Sequence, residues 1–159
     1  KRQDLDSQYN FTHSIMADYF TRQARTGQEP AGQMSAYQQA AFHYQEAIKW
    51  SKSTEKSSIL SYLVSLGNIY IEQAMMENQQ EPTPELLRSA IGAFEQAVAL
   101  SPNARDLYRM EEQIARLYIQ LGDVENAVFH AQNALTVAPD EEEKVRLETL
   151  IGQILAQQP

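Results

Sequence analysis

The sequence predicts an all-α protein built from stacked helical hairpins. Apolar residues recur every three or four positions along most of the chain, which places them on one side of a helix. Residues 59–76 illustrate the pattern, with Leu63, Leu66 and Tyr70 on a single stripe. No stretch alternates apolar and polar residues cleanly over six positions, so no strand is expected. Seven periodic segments result, and breaks that contain proline or glycine separate most of them.

The breaks set the expected helix boundaries. Thr83-Pro84-Glu85 is a typical helix start, with a capping hydroxyl, a proline in the first turn and an acid near the positive end of the helix dipole. Glu141, Glu142 and Glu143 begin the last helix in the same way. We expect helices at about 6–25, 31–51, 55–78, 84–100, 104–120, 123–137 and 141–157.

The composition fits a folded protein. The chain has 159 residues, of which 43% are hydrophobic and 21% charged. It has no cysteine, which excludes disulfides, thiol nucleophiles and cysteine-bound zinc. No apolar run approaches the roughly 18 to 20 residues that span a bilayer. Because the chain begins at Lys1 and not at methionine, we expect that an N-terminal segment was processed or lies outside this sequence.

The charge of the protein is acidic and unevenly distributed. The net charge is -8, with a near-neutral segment over residues 1–60 and an acidic one over residues 61–159. An acidic surface repels phosphate backbones, so nucleic acid is not expected as a partner.

The sequence also contains an internal repeat. When residues 13–51 are shifted by fifty positions, small residues fall on small ones and aromatic residues on aromatic ones, as with Ala40 on Ala90 and Phe20 on Tyr70. Small residues at fixed helix positions let two helices approach closely, while large neighbours fill the gaps. Because one hairpin cannot bury its own faces, neighbouring hairpins must stack.

Two segments share one motif: a large apolar, a small and an aromatic residue in a first helix, then alanines in a second helix and a closing proline. The positions are Leu66-Gly67-x-x-Tyr70, Ala90, Phe94, Ala97 and Pro102, then Ile114-Ala115-x-x-Tyr118, Gly122-Asp123, Ala127, Ala134-Leu135 and Pro139. This motif resembles the tetratricopeptide repeat, which is about 34 residues long. The resemblance implies an α–α superhelix in a single domain over residues 1–159, with repeats at about 6–52, 55–102 and 104–139 and a capping helix at about 141–157.

The repeats depart from the family pattern in three places. Lys52 replaces the closing proline of the first repeat, and the third repeat has Glu111 and Ala131 where large apolar and aromatic residues are usual. The first two repeats also carry eleven extra residues between their paired helices, and both additions contain Gln-Glu-Pro, at 28–30 and 80–82. Longer helices and turns would then extend from one edge, either as tolerated surface segments or as binding elements.

Motifs for chemistry are missing from the sequence. It has no metalloprotease helix motif, phosphate-binding loop or nucleophile elbow. The histidines are His13, His43 and His130, and the first two could approach each other in the first hairpin. A packed or surface histidine is favoured over a metal ligand or base. We expect no catalytic residue, metal site, cofactor or small-molecule substrate, and therefore no enzyme.

In the tetratricopeptide family, the first helix of each hairpin lines a concave groove that binds a partner segment. The resemblance assigns to this groove Phe11, Asp18 and Arg22 from the first repeat, Val64, Asn68 and Ile71 from the second, and Arg109, Glu112, Arg116 and Ile119 from the third. Asn68 would hold a peptide backbone through its amide, and Arg109 and Arg116 would pair with acidic groups.

We therefore expect a scaffold, adaptor or complex-assembly factor that binds segments of other proteins through the groove and the extended hairpin loops. The alternative is a permanent structural subunit of a larger complex, including one associated with a membrane. Membrane contact would come through a partner or through an anchor ahead of Lys1-Arg2, and the expected location is the cytoplasm or the cytoplasmic face of a membrane.

Overall fold

The computed structural model describes residues 2–27, 29–77, 82–101 and 103–156. Seven α-helices contain most of these residues, and no strand occurs among them. The helices are α1 (Arg2–Thr26), α2 (Pro30–Trp50), α3 (Lys56–Glu77), α4 (Pro84–Leu100), α5 (Ala104–Gln120), α6 (Val124–Thr136) and α7 (Glu141–Ala156). No helix in this described part of the chain is long and apolar enough to cross a membrane. The chain is all-α, as predicted.

Proline and polar caps set several of the helix starts. Pro84 opens α4, where its missing N–H costs no helical hydrogen bond. The side chain of Asn103 accepts a hydrogen bond from the Asp106 N–H at 2.9 Å, and that of Asp123 accepts one from the Asn126 N–H at 3.1 Å. These signals are local in sequence, which is why the helix boundaries could be predicted.

The predicted and observed helix boundaries differ by at most four residues. The largest difference is at α1, which begins at Arg2 and not at residue 6. The predicted ends of the third and seventh helices, at 78 and 157, lie outside the described residues, as does Pro102.

The residues added to the first repeat lengthen its helices. α1 has 25 residues and α2 has 21, whereas α5 has 17 and α6 has 13. Residues 27–29 alone separate α1 from α2. The described residues of the first insertion therefore lie mostly in α1 and α2 and do not form a long loop. Gln28 and residues 78–81, which belong to the two insertions, lie outside the described residues.

The chain forms two compact units, residues 1–93 and 94–159, and the boundary between them falls within α4. In the first unit, α2 packs on both α1 and α3. The core of this unit combines small residues, which permit close helix approach, with aromatic and branched residues that fill the remaining space. Its buried members are Ala17, Ala24, Ala36, Tyr37, Ala40, Ala41, Tyr44, Leu66, Ile69 and Ala93.

In the second unit, α6 packs on both α5 and α7. Ile114 and Leu117 of α5 are fully buried, and Ala134 of α6 packs with Tyr108 and Leu147 in a core cluster. Between α5 and α6, the chain reverses at residues 121–123. Gly122 has a φ of 72° there, a left-handed conformation that glycine adopts without steric cost.

Candidate protein-binding site

An open cleft of about 300 Å³ lies in the first unit, between α1 and α3. It contains three of the predicted groove residues, namely Asp18 and Arg22 of α1 and Asn68 of α3. The helical spacing of four residues places Asp18 and Arg22 one turn apart on the same side of α1. The cleft is lined by Asp18, Thr21, Arg22, Arg25, Tyr44, Ser65, Asn68 and Ile69.

Tyr44 of α2 forms part of the cleft wall and fixes the Asp18 carboxylate. The Tyr44 hydroxyl donates a hydrogen bond of 2.7 Å to Oδ1 of Asp18. Burial raises the pKa of Tyr44, and the hydrogen bond to Asp18 raises it further. Tyr44 therefore remains a neutral donor, and Asp18 is held as an acceptor at the edge of the cleft.

Arg25 is paired within the protein. It donates to both carboxylate oxygens of Glu72, from Nε at 2.9 Å and from Nη2 at 2.6 Å. The Tyr37 hydroxyl donates to the same carboxylate at 3.1 Å, and burial together with the charge of Glu72 raises the pKa of Tyr37 to about 12. This arrangement joins α1, α2 and α3, and it neutralises the charge of Arg25.

Arg22 keeps its positive charge available at the cleft. Its side chain is exposed, and the guanidinium makes no ion pair with any described residue of the chain. Asn68 is also exposed and contributes an amide, while Ser65 contributes a hydroxyl. These groups can donate hydrogen bonds to a carboxylate or to peptide carbonyl oxygens, and Asp18 can accept from a peptide N–H.

The other predicted groove residues of the first unit lie outside the cleft lining. Phe11 is 66% exposed on α1. Val64 and Ile71 of α3 are half-buried. The structure therefore brings together the three polar residues of the predicted set in this unit, and the three apolar ones are not part of the same cleft.

The four predicted residues of α5 have different roles in the second unit. Arg109 is exposed and Ile119 is half-buried. Arg116 donates to Oε1 of Glu112 at 3.0 Å from Nε and 2.7 Å from Nη2. Arg116 is therefore already paired within its own helix, and of the two arginines expected to bind acidic groups only Arg109 has an uncommitted side chain among the described residues.

Arg146 of α7 completes this network, and sequence reasoning missed it. Its Nη1 and Nη2 donate to Glu112 at 2.6 and 2.7 Å, and its Nε donates to Glu143 at 2.6 Å. Hydrogen bonds from Arg146 and Arg116 lower the pKa of Glu112 to about 2. Nη2 of Arg146 also contacts the hydroxyl of Tyr108, whose pKa burial raises to about 12. No local sequence signal could have paired Arg146 with a residue 34 positions away.

His13 and His43 meet in the first hairpin, as the sequence suggested they could. Their Nδ1 atoms are 2.8 Å apart, so one imidazole donates and the other accepts. The ring of Phe20 stacks on His43 at 5.5 Å and 3°, and Phe42 contacts it edge-on at 5.1 Å. Burial and the neighbouring His13 lower the pKa of His43, while Glu46 opposes them.

The third hairpin contains a related cluster around His130. Its Nδ1 donates to Oε2 of Glu111 at 2.6 Å, and both residues are buried. Tyr118 stacks on the imidazole at 5.5 Å and 16°, and Phe129 contacts it edge-on at 5.1 Å. No group of three or more His, Asp or Glu side chains that could hold a metal ion occurs among the described residues.

Comparison with known families identifies part of the chain. Residues 112–141 match the tetratricopeptide repeat. The match covers the second half of α5 and all of α6, and it overlaps the third predicted repeat, at 104–139. It confirms the resemblance to that family and fits an architecture of helical hairpins. No curated protein matches the chain. At a coarse level, a tetratricopeptide repeat indicates a protein-interaction fold whose partners are other proteins or peptides.

Proposed function

We propose that the protein is an adaptor or complex-assembly factor that holds a partner segment with acidic character in the cleft between α1 and α3. Arg22 and Asn68 would contact the acidic or carbonyl oxygens of the segment, and Asp18 would accept one of its N–H groups. The proposal includes no catalytic step and no nucleic-acid partner. In the second unit, Arg109 of α5 would offer a separate contact for acidic groups, independent of this cleft.

The observation that carries the proposal is the pairing state of the two cleft arginines. Arg25 is neutralised by Glu72, whereas the Arg22 guanidinium has no acidic partner among the described residues. An unpaired cation beside exposed amide and hydroxyl groups favours a ligand that supplies negative charge. Because the site is open to solvent, such contacts should weaken with salt.

Selection of a random phage-displayed peptide library on the whole chain tests this proposal. We expect enrichment of peptides that contain Asp or Glu. The substitution Arg22→Glu should weaken their binding at least about tenfold, because it places a like charge against the ligand. The affinity of a selected synthetic peptide should also fall as salt is raised from about 50 to about 500 mM.

Arg88→Glu is the matched control. Arg88 is an exposed arginine of α4, and Glu85 lies 3.9 Å from its guanidinium. This substitution changes the net charge of the protein equally and should leave peptide affinity unchanged. Selected peptides without acidic residues, or peptides that bind the Arg22→Glu and unsubstituted chains equally, would exclude the cleft as an acidic-segment site.

A permanent structural subunit is the second candidate function, and the exposed apolar surface of α1 favours it. Phe11, Ile15 and Tyr19 are each more than half exposed. Apolar surface of this kind in a soluble protein is typical of an interaction face. A partner that remains bound at fixed stoichiometry in high salt would support the subunit, whereas salt-sensitive exchange of peptides would support the adaptor.

A further inference from the structure

Asp18 and Arg22 have the spacing at which an acid and a base of one helix usually form an ion pair. Asp18 lies four residues before Arg22 on α1, and both side chains are exposed. An acid one turn ahead of an arginine is the favourable order for such a pair. The Arg22 guanidinium nevertheless makes no ion pair with any residue in the described part of the chain. A local contact must therefore keep the two side chains apart.

Glu112 and Arg116 of α5 show what the same spacing gives elsewhere in the chain. Their carboxylate and guanidinium are 2.7 Å apart, although Arg116 is 48% exposed. Exposure of an arginine to solvent thus does not prevent pairing at a spacing of four residues. The cause of the difference at Arg22 lies in the surroundings of Asp18.

A buried tyrosine of the neighbouring helix holds the Asp18 carboxylate. The Tyr44 hydroxyl of α2 donates to Oδ1 of Asp18 at 2.7 Å. Tyr44 is 4% exposed, and its ring packs in the core with Tyr62, whose ring centre is 6.4 Å away. Because the buried ring cannot follow a rotating carboxylate, the hydrogen bond fixes the Asp18 side chain toward α2.

Asp106 and Arg109 of α5 show the same relation with a different donor. Nδ2 of Asn103 donates to Oδ2 of Asp106 at 2.7 Å, within the N-terminal cap of the helix. Arg109 follows Asp106 by three residues, is exposed, and has no ion pair among the residues that the structure describes. In both helices, an acid that is bound by a neutral donor precedes an unpaired arginine.

We infer that Tyr44 is a positioning residue for the cleft: by holding the Asp18 carboxylate, it keeps Arg22 unpaired and able to bind an acidic group of a partner segment. Without the hydroxyl, the carboxylate turns along α1, pairs with Arg22 and competes with the partner for the same guanidinium. The role in partner binding rests on the proposed function, whereas the availability of Arg22 can be measured without a partner.

Chemical modification of arginine measures that availability. Phenylglyoxal attacks the uncharged guanidinium, and a paired carboxylate slows the reaction because it favours the charged form. Peptide mass spectrometry gives the rate at Arg22 in the whole chain, with Arg109 of the second unit as internal reference. In Tyr44→Phe, the rate at Arg22 should fall about two- to threefold, since exposed pairs at this spacing are weak. Adding Asp18→Asn to this variant should restore the rate.

A labelled synthetic acidic peptide from the phage selection tests the consequence for binding. By fluorescence anisotropy at about 50 mM salt, Tyr44→Phe should weaken its affinity about two- to threefold, which is the extent of the competing pair. Asp18→Asn in the same background should recover most of the loss, because the amide has no charge to offer Arg22. A merely structural role of Tyr44 would give a loss that this second substitution does not recover.

Tyr37→Phe is the matched control, because Tyr37 is also a buried tyrosine of α2 whose hydroxyl donates to a carboxylate. Its acceptor, Glu72, stays bound to Arg25 when the hydroxyl is removed. The rate at Arg22 and the peptide affinity should therefore not change. Equal effects of Tyr37→Phe and Tyr44→Phe would overturn the inference, because loosening of the helices would then explain both.

Asp18→Asn alone tests the same arrangement at an exposed position, without a change in the core. It should leave the rate at Arg22 unchanged, since Tyr44 already holds the carboxylate. An acceleration of about twofold or more would show that Asp18 pairs with Arg22 in the unsubstituted chain, and this would overturn the inference.

Failure of the inference and failure of the proposed function give different results. If acidic peptides bind and Arg22→Glu weakens them, but Tyr44→Phe leaves the rate at Arg22 unchanged, only the role of Tyr44 is overturned. If modification of Arg22 slows in Tyr44→Phe and recovers with Asp18→Asn, while no acidic peptide binds, the positioning of Asp18 is supported and the acidic-segment function is excluded.

Discussion

In both the first and the third hairpin, two aromatic rings enclose a buried histidine, one stacked on it and one edge-on, an arrangement we call an aromatic cage. The hydrogen-bond partner of the histidine differs between the two hairpins. In the first hairpin, His43 is stacked on Phe20 and bonded to His13. The internal repeat aligns its position with that of His130 in the third hairpin. There the stacking ring is a tyrosine and the bonding partner is a carboxylate.

The second repeat shows that the polar pair is not needed to form a hairpin. In the repeat alignment, Leu63 stands where the other repeats have His13 and Glu111. Ala93 stands where they have His43 and His130. Leu63 and Ala93 are 3% and 4% exposed. An apolar pair therefore fits the same site. A carboxylate can accept the imidazole N–H whether or not the far ring nitrogen is protonated, whereas two charged imidazoles in contact repel each other. The two hairpins therefore share the packing around the histidine, but their stability should respond differently to acid.

Removal of the histidine should have its largest effect in the third hairpin. His130→Ala leaves the buried Glu111 carboxylate without its hydrogen-bond donor, and we expect a loss of about 2–4 kcal/mol in the free energy of unfolding. His43→Ala should cost less, about 1–2 kcal/mol, because His13 stays half-exposed and can be solvated. Urea denaturation of the two variants measures both values.

The double variant Glu111→Leu with His130→Ala serves as the control, since it installs the residue pair of the second repeat. It should recover most of the stability lost in His130→Ala. Equal costs for His43→Ala and His130→Ala would show that the identity of the partner does not matter and that the two cages are equivalent.

Both units contain an ion pair that connects two helices, Arg25 with Glu72 in the first unit and Arg146 with Glu112 in the second. Arg146 joins α7 to Glu112 of α5, and replacing it with methionine should cost about 1–2 kcal/mol, because Arg146 is 42% exposed while Glu112 is 13% exposed. The folded-state pKa of Glu112, about 2, is below its ordinary 4.5, so this contribution is present above pH 4.5 and is lost as pH falls toward 2.

Thermal unfolding of Arg146→Met and of the unsubstituted chain at several pH values checks this effect. The difference between their melting temperatures should become smaller as the pH is lowered. Lys144→Met tests an exposed pair on the same helix, with Glu141 at 3.4 Å, and should change stability by less than about 0.5 kcal/mol. A Lys144 effect as large as that of Arg146 would contradict a specific link between α5 and α7.

The smallest expected effect is the response of the first hairpin to mild acid. The folded-state pKa of His43 is below its ordinary 6.5, so the unfolded chain binds protons more readily. Stability is therefore fully retained above pH 6.5 and is lost as pH falls through the folded-state pKa. We expect a loss of about 1 kcal/mol or less. Urea denaturation between about pH 5 and pH 7.5 measures it.

The variant His13→Leu with His43→Ala should remove this pH dependence, because it carries the uncharged pair of the second repeat. His13, His43 and the nearby Glu46 are the titratable groups that face one another here. An unchanged slope of stability against pH in the double variant would assign the acid sensitivity to other groups.

Sequence reasoning predicted the helices because their signals are local. Apolar spacing, prolines and capping residues act within one turn, so α4 and α5 have the predicted bounds. Asp18 and Arg22 were assigned to the groove by the resemblance to the tetratricopeptide repeat, and their spacing of four residues places them on the same side of α1.

Side-chain pairing was much less predictable. Whether an arginine forms an ion pair depends on which Asp or Glu side chains helix packing brings near it. The spacing of apolar residues in the sequence does not predict these neighbours. Arg25 and Arg22 have similar sequence surroundings, yet Glu72 of α3 neutralises only Arg25. Arg116 was predicted to face a partner, but it shares Glu112 with Arg146 of a helix two elements later. Such contacts become visible only once the tertiary structure is known.

The packing of α2 and α6 on their neighbours in sequence has a consequence for folding. Bringing together helices separated by a few residues closes short loops, which costs little chain entropy. Proteins dominated by such local contacts fold fast, and their structure can grow outward from any hairpin that forms first. With α2 between α1 and α3, and α6 between α5 and α7, each unit contains a central helix that can nucleate it.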